Sequence, residues 1–252
     1  MKYEKIGIDL GTHTVKMAVI EEISDVFRIK NAEVYRVNSS KNYYTFLKES
    51  IKDFTEKNGV GFASFSFSIP YAPEIMDIEF LQMPIVDKKI LKKSIKYEIE
   101  ERELTDDLDS IHYNWEILNE NENEYDIILT TIEKRIIKEL ANLKTIKWRI
   151  DNIELQPITV GRLIEGDSIV VDFGNSGTRV YMYKNGKISE VEHVDFGGKD
   201  LTQIIENITG IFDIEEVEDI KKQCFISNEL ITIDTSREIE ECSIAITKEV
   251  YQ

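Results

Sequence analysis

The sequence contains one short pattern twice: an apolar strand, an aspartate, a turn with glycine, and a second apolar strand. The first copy is IDLG at residues 8–11 and the second is VDFG at residues 171–174, which places the two aspartates 163 positions apart. At the same offset, Lys16 corresponds to Arg179. One copy is weak evidence, because turns favour Asp, Gly, Asn and Ser for conformational reasons. Two copies at a domain-sized separation indicate an internal duplication.

Both turns are rich in glycine and hydroxyl residues. Such turns can direct backbone N–H groups and hydroxyls at a phosphate, and two facing copies would clamp a triphosphate. The candidate phosphate-binding residues are Gly11, Thr12, His13 and Thr14 in the first copy and Gly174, Asn175, Ser176, Gly177 and Thr178 in the second. The preceding carboxylates, Asp9 and Asp172, can hold Mg²⁺ directly or through water.

Composition narrows the classes of partner. The chain has 252 residues, enough for one large or two modest domains, and its 48 Asp and Glu against 31 Lys and Arg give a formal charge of -17. A chain this acidic has no general attraction for nucleic acid, so we expect no such binding. Cys224 and Cys242 fit no zinc spacing and are too few for a disulfide scaffold, which favours a reducing cytoplasm. No run reaches the roughly 18 apolar residues of a membrane span.

Hydrophobic periodicity predicts strands and helices in the mixture typical of an α/β fold. The predicted strands lie at residues 6–21 as a hairpin, 63–69, 75–80, 110–118, 125–132, and 168–183 as a second hairpin. The predicted helices span residues 43–57, 87–103, 133–143, 155–164, 199–209, 214–224 and 237–250. In the helix capped by Asp87, the residues expected to face inward are Ile90, Leu91, Ile95 and Ile99. The stretch 76–147 is interpreted as a small α+β insertion.

Several motifs resemble the actin, Hsp70 and hexokinase superfamily, and within it the PilM family, the FtsA-like cytoplasmic component of type IV pilus assembly. The matching runs are IGIDLGTHTVK (residues 6–16), LQMP (81–84), SIKYEIE (94–100), WEIL (115–118), FGGKDLT (196–202) and EVEDIK (216–221). The first resembles the family's opening phosphate hairpin, the next three resemble its inserted domain, and the last two resemble a Gly-Gly turn with its following helices. The resemblance covers about residues 3–222.

The resemblance implies an actin-like, ribonuclease H-like α/β fold of two lobes with an inserted FtsA/PilM-type α+β subdomain. The first lobe would comprise residues 1–75 and 148–165, the insertion 76–147, and the second lobe 166–252. ATP or ADP would bind with Mg²⁺ facing Asp9 and Asp172, while Lys16 would neutralise phosphate charge. The residues expected toward the nucleoside are Gly197, Gly198, Glu218 and Lys221.

The same resemblance implies a role in fimbrium biogenesis and twitching motility. The protein would be a cytoplasmic adaptor, peripheral at the inner face of the cytoplasmic membrane, that docks the short tail of a bitopic PilN-like membrane protein beside the insertion. It would contact the membrane only through that partner. It would contact other pilus platform components, and it would bind ATP rather than hydrolyse it efficiently; self-association is left open. One feature departs from the family: the last glycine is Gly210, so the final glycine-rich turn that holds adenine is absent. We therefore expect a truncated or shortened second lobe and weak ATP affinity.

Three other functions are weighed against the adaptor. A GspL-like platform protein of type II secretion shares this fold without nucleotide binding, and the intact Asp9, Lys16 and Asp172 argue against it. A small-molecule kinase of the superfamily needs a carboxylate base near its acceptor, and none is evident. An FtsA-like filament protein would carry a membrane-binding amphipathic C-terminal helix, whereas residues 237–252 are acidic.

A basic stripe stands out on the helix predicted at residues 87–103. Its members are Lys88, Lys89, Lys92, Lys93 and Lys96. The stripe is interpreted either as a solvated helix face or as a contact for lipid headgroups or an acidic partner.

Overall fold

The computed structural model describes residues 3–23, 26–37, 40–102, 104–105 and 107–224. The strands are β1 (Glu4–Leu10), β2 (Thr14–Ile23), β3 (Val26–Arg36), β4 (Ala63–Ile69), β5 (Met76–Pro84), β6 (Ile111–Glu120), β7 (Glu124–Glu133), β8 (Trp148–Leu155), β9 (Ser168–Phe173), β10 (Thr178–Lys184) and β11 (Lys187–Val194). The helices are α1 (Tyr43–Lys57), α2 (Lys88–Glu101), α3 (Lys134–Ala141), α4 (Gln156–Gly161), α5 (Gly198–Thr209) and α6 (Ile214–Gln223). The helix predicted at 237–250 lies outside the described residues.

The chain forms two compact units. The first comprises Met1–Val171 and Arg179–His193, and the second comprises Asp172–Thr178 and the residues from Val194 onward. The first unit contains a five-stranded sheet in the order β3-β2-β1-β4-β8. The strands β1, β2 and β3 pair antiparallel, whereas β4 runs parallel to both β1 and β8. A mixed sheet of this kind confirms the predicted α/β class.

Helix α1 covers one face of the five-stranded sheet, and its bounds match the prediction. Asn42 caps the helix by accepting hydrogen bonds from the N–H groups of Tyr44 and Thr45, which would otherwise lack partners. Alternation along β4 points Phe65 and Phe67 into the core beneath this helix. The fully buried residues of α1 that pack there are Leu47, Ile51 and Phe54.

A separate antiparallel sheet has the order β5-β7-β6, and α2 packs on one of its faces; we call this group the α2-covered sheet. Leu91, Ile95 and Ile99 of α2 are buried there. Ile90 was expected to face inward with them, but this prediction is wrong, because the side chain is 52% exposed. The buried stripe repeats every four residues, and a position one residue before Leu91 is rotated by about 100° around the helix.

The third sheet has the order β11-β10-β9. Strands β10 and β11 are joined by Asn185 and Gly186, which both have positive φ, as a two-residue hairpin turn requires. Tyr181 and Tyr183 of β10 are buried in the first unit. In the second unit, α5 and α6 pack through a small core whose buried members are Ile205 and Val217.

Two strands of the main sheet were not predicted from the sequence. They are its edge strands, β3 and β8. In addition, α4 ends at Gly161, earlier than predicted, and β5 continues to Pro84, later than predicted. Among the residues that the structure describes, no helix combines the length and apolar character needed to cross a membrane.

Candidate functional site

The first predicted turn joins β1 to β2 in the first unit. Asp9 is the second-last residue of β1 and is in register with Lys16 on β2. The Nζ atom of Lys16 lies 2.8 Å from Oδ2 of Asp9, and the two side chains are 60% and 28% exposed. The structure therefore brings these two predicted site residues together as a solvent-accessible ion pair, on the sheet face opposite α1, which we call the outer face.

The turn between them is tightly closed. The N–H of Gly11 donates to the carbonyl of Thr14 at 3.0 Å, and a Cβ at Gly11 would lie 2.4 Å from that carbonyl oxygen, so only glycine fits. The carbonyl of His13 accepts from the N–H of Val37 at 2.8 Å. The hydroxyl of Tyr43 donates to the carbonyl of Gly11 at 3.2 Å, and burial raises the pKa of Tyr43, which keeps this donor protonated. The turn that holds Thr12 is thus fixed from both sides.

A cleft of about 620 Å³ lies over the outer face. Asp9 and Lys16 line it, as do Ser68 of β4 and Glu154 and Arg162, which form an ion pair. We call it the outer-face cleft. It places three carboxylates, those of Asp9, Glu33 and Glu154, around one space with two cations and with hydroxyls. Carboxylates, cations and hydroxyls are the groups that bind a phosphorylated ligand with its metal ion.

The second predicted turn lies in the second unit and comprises Gly174, Asn175, Ser176 and Gly177. Its ends are closed by a hydrogen bond from the N–H of Gly174 to the carbonyl of Gly177, at 3.0 Å. The hydroxyl of Thr178 donates to the carbonyl of Phe196 at 2.7 Å. Within the described residues, the N–H groups of Asn175 and Gly177 make no hydrogen bond with the protein.

The glycine pair at the start of α5 packs directly against this turn. A Cβ at Gly197 would lie 2.6 Å from the carbonyl oxygen of Gly174, 2.8 Å from that of Asn175 and 2.7 Å from the nitrogen of Gly177. The N–H of Gly198 donates to the carbonyl of Gly174 at 2.9 Å. Because φ at Gly197 is -156°, the requirement for glycine here is one of space and not of backbone conformation.

Glu218 and Lys221 of α6 meet beside this glycine pair. The ammonium of Lys221 donates to Oε1 of Glu218, to the hydroxyl of Thr202 at 2.9 Å and to the carbonyl of Gly198 at 3.3 Å. Both side chains are mostly buried, with 18% exposure for Lys221 and 21% for Glu218. Thr202, which was not predicted as a site residue, also donates to Glu218 at 3.1 Å. The structure thus groups Gly198, Thr202, Glu218 and Lys221 in the second unit.

The donor set fits Mg²⁺ in one of its usual binding modes. In the described part of the chain, no three His, Cys, Asp or Glu side chains cluster closely enough to hold a metal ion by themselves. Mg²⁺ usually keeps several waters and binds through one or two carboxylates together with substrate phosphates. Asp9, accessible in the outer-face cleft, fits that mode, in which the metal ion arrives with the nucleotide.

A second cleft, of about 410 Å³, lies between β8 and the α2-covered sheet, within the first unit. We call it the β8 cleft. Six consecutive residues of β8, Ile150 to Leu155, line it, whereas β6 contributes alternate residues: His112, Asn114 and Glu116. Because successive residues of a strand point to opposite faces, a cleft lined by consecutive residues lies along the edge of β8. A cleft lined by alternate residues lies over one face of β6. That face is the one opposite α2, because the buried partners of α2 on β7, Ile127 and Leu129, point the other way.

The β8 cleft carries a net negative charge. The hydroxyl of Ser64, followed by the guanidinium of Arg149, holds the pKa of Asp151 below its ordinary value, so this carboxylate stays ionised. Glu116 adds a second carboxylate, which has no ion-pair partner among the residues that the structure describes. Glu154 is neutralised by Arg162. Asp151 is likewise paired with Arg149, so Glu116 is the carboxylate of this cleft that favours a ligand with a basic group.

Sequence reasoning missed Asp151 and Glu154, because β8 was not predicted. It also missed Arg162, which follows α4 and carries no motif that marks it as a site residue. Its apolar residues alternate at Trp148 and Ile150 and then again at Ile153 and Leu155. The ladder with β4 passes from Ile150 to Asn152 and leaves Asp151 unpaired as a bulge. A search for two short alternating runs displaced by one residue would have found the strand.

Comparison with known proteins shows the fold. The chain matches no sequence-family profile and no curated protein. It is similar to the solved PilM-PilN type IV pilus biogenesis complex, with a TM-score of 0.74 and 13% identity over 99% of this chain and 76% of that chain. The ethanolamine utilization protein EutJ from Carboxydothermus hydrogenoformans gives a TM-score of 0.54 and 16% identity over 99% of this chain and 69% of that chain. The chain therefore has the predicted actin-like α/β fold.

Proposed function

We propose that this chain is a nucleotide-binding adaptor of the type IV pilus inner-membrane platform, which docks the short cytoplasmic N-terminal tail of a PilN-like membrane protein. The observation that carries the proposal is the β8 cleft, an acidic groove with an open strand edge. The solved structure that this chain resembles at a TM-score of 0.74 is a complex of PilM with PilN. That likeness supports a PilN-like tail as the occupant.

The geometry of the β8 cleft fits an extended peptide. Strand β8 pairs with β4 on one side, and no described strand pairs with its other side. A peptide can add there as a further strand, with main-chain hydrogen bonds giving affinity and side chains contacting β6 giving specificity. The unpaired Glu116 favours a tail with a lysine or arginine.

Each phosphate turn supports the nucleotide-binding half of the proposal. The first offers the Asp9 carboxylate and the Lys16 ammonium, and the second offers the N–H group of Asn175. We propose ATP or ADP with Mg²⁺ as the ligand, and binding rather than efficient hydrolysis as its use. The metal ion would screen phosphate charge, while these residues would orient the phosphates.

Three side chains connect the two clefts of the first unit. Asn152, Glu154 and Arg162 line both the outer-face cleft and the β8 cleft. The amide of Asn152 donates to Glu154 at 2.6 Å, and Arg162 donates to the same carboxylate oxygen. A ligand that attracts Arg162 in one cleft changes the charge presented to the other. We therefore propose that nucleotide binding adjusts affinity for the tail, with the protein held at the inner face of the membrane through its partner.

The test of tail docking is a titration of the chain with a fluorescent peptide from the cytoplasmic tail of the PilN-like protein of the same organism, read by anisotropy. The variant Asn114→Trp, which fills the β8 cleft, is expected to weaken binding at least tenfold. Gln82→Trp is the matched control, because Gln82 is an exposed strand position of the α2-covered sheet that does not line the cleft. Absence of binding to the unmodified chain, or equal loss in both variants, would overturn the proposal.

A further inference from the structure

The outer surface of α2 carries a cluster of lysines that the proposed function does not use. The helix buries Leu91, Ile95 and Ile99 and leaves all the lysines of the stripe exposed to solvent. We call these residues the lysine face: Lys88, Lys89, Lys92, Lys93 and Lys96. They span about 12 Å of helix, at a rise of roughly 1.5 Å per residue.

The lysine face is not neutralised by the protein. No described residue forms an ion pair or a side-chain hydrogen bond with any of its five ammonium groups, and this in a chain with a formal charge of -17. Some lysines elsewhere pair with carboxylates, as Lys16 and Lys57 do at 2.8 and 2.6 Å, whereas others, such as Lys48, have no described side-chain partner. What distinguishes the lysine face is that five such cations lie together on one helix. These clustered and unpaired ammonium groups are therefore accessible to an anionic binding partner.

The arrangement also works against the stability of α2. Cations are unfavourable in the first turn of a helix and anions in the last, yet α2 begins with Lys88 and Lys89 and ends with Glu100 and Glu101. Like charges four residues apart repel, as Lys92 does with both Lys88 and Lys96. The folding of α2 therefore does not explain the pattern.

Exposed apolar side chains lie among the lysines. Ile90 is 52% exposed and Tyr97 is 62% exposed, and their spacing of seven residues places them on one ridge of the helix, next to Lys93. Ile85, just before the helix, is 39% exposed. A face that serves only solubility needs no such residues, whereas helices that lie on membranes combine lysines with apolar and aromatic side chains.

We propose that the lysine face, together with Ile85, Ile90 and Tyr97, binds the anionic headgroups of a lipid bilayer. All five cations are lysines, whereas recognition of protein carboxylates favours the forked geometry of arginine. The lysine face lines neither the outer-face cleft nor the β8 cleft. It therefore fits the extended anionic surface of a bilayer better than a protein segment that inserts into a groove. Acidic residues that lie farther from the lysine face than a Debye length, about 8 Å at physiological salt, are largely screened from it.

The test is flotation of the full chain with vesicles of phosphatidylcholine plus phosphatidylglycerol, and with vesicles of phosphatidylcholine alone. Binding is expected only with phosphatidylglycerol and is expected to fall as salt is added. Each lysine is expected to contribute about fivefold to the partition coefficient. Replacement of the whole lysine face by glutamine is expected to abolish binding, and Ile90→Ser with Tyr97→Ser to weaken it.

A control variant removes the same charge from exposed positions elsewhere. It carries glutamine at Lys48, Lys52, Lys138, Lys144 and Lys147, and it is expected to float like the unmodified chain. Replacing the lysine face relieves repulsion in α2, so the Tm of that variant is expected to stay level or to rise, which separates lost binding from lost folding. Tail-peptide binding is expected to persist, because the β8 cleft lies on the opposite face of the α2-covered sheet.

Three results would overturn the proposal: no flotation of the unmodified chain with phosphatidylglycerol, equal flotation of both glutamine variants, or flotation that ignores salt. Binding of the unmodified chain to polyglutamate without binding to vesicles would also overturn it and would assign the lysine face to an acidic protein.

Discussion

Lys16 stands directly opposite Asp9 in the first hairpin, with its Nζ atom 2.8 Å from Oδ2 of Asp9. An ion pair this exposed contributes little to folding, typically about 0–1 kcal/mol. The pair lines the outer-face cleft, where the carboxylate can hold a hydrated Mg²⁺ and the ammonium can turn to a phosphate. We therefore propose that this pair serves a ligand rather than the stability of the hairpin.

The first prediction separates these two roles. Asp9→Ala, Lys16→Gln and Asp172→Ala are each expected to reduce Mg-ATP affinity by about tenfold to a hundredfold, because a contact to a charged group is lost. The Tm without ligand is expected to change little. Lys30→Gln is the control, since it breaks an exposed ion pair with Glu4, 3.4 Å long, on the same sheet. A large fall in Tm without ligand would contradict the assignment.

The second prediction concerns the packing of Gly197 on the second turn. Gly197→Ala is expected to cost about 1–3 kcal/mol, because its Cβ would meet backbone atoms of three turn residues within 2.8 Å. Gly198→Ala is the control, since the nearest atoms to its Cβ lie at 3.6 Å. Denaturant unfolding of both variants checks the difference. Equal stability of the two would show that Gly197 is not held against the turn.

The third prediction addresses communication between the two clefts of the first unit. Arg162→Gln removes the cation that both clefts share and that pairs with Glu154. Tail affinity is expected to respond to nucleotide in the unmodified chain, by about fivefold or more, and to lose that response in the variant. Arg135→Gln, which breaks the exposed pair with Glu133, is the control. An unchanged response in Arg162→Gln would exclude this pair as the connection.

The fourth prediction follows from Asp77 on β5. Burial, followed by the nearby charge of Glu79, raises the pKa of Asp77, against a hydrogen bond with Thr131 that lowers it. A carboxyl with a raised pKa contributes stability below its unfolded pKa and loses that contribution as pH rises through its folded pKa. Asp77→Asn is therefore expected to raise the free energy of unfolding at pH 7, with a gain that shrinks as the pH is lowered.

Asp53→Asn is expected to show the opposite effect when the free energy of unfolding is measured by denaturant titration across the same pH range. The Lys57 ammonium, at 2.6 Å, and the Tyr35 hydroxyl lower the pKa of Asp53, so its contribution is present at neutral pH and is lost as pH falls. This variant is expected to be less stable at pH 7 and to approach the unmodified chain in acid. The same sign of change in both variants would contradict these environments.

Local signals explain the parts of the fold that the sequence predicts. Helix α1 was predicted with its observed bounds, because one apolar stripe ends at a turn made by Asn58 and Gly59. Strand β4 was predicted because Phe65 and Phe67 alternate with serines, and the structure buries both. Where a single face is buried and the period is unbroken, the pattern of apolar residues determines the element.

The missed strands fail that condition. In β3 the ladder with β2 passes from Ile29 to Asn31, and in β8 the ladder with β4 passes from Ile150 to Asn152. Each bulge shifts the alternation by one residue, and each strand lies at a sheet edge, where burial is weak. Packing between segments that are distant in the chain could not be predicted from local patterns either. The contact of Gly197 with the second turn is an example.

The most direct test of the adaptor account is calorimetric titration of the chain with the tail peptide, in the presence and absence of Mg-ATP, after a titration with Mg-ATP alone. The account predicts that Mg-ATP binds and that the peptide binds with an affinity that changes when nucleotide is present. Peptide binding that ignores nucleotide, or no heat with either ligand, would contradict it.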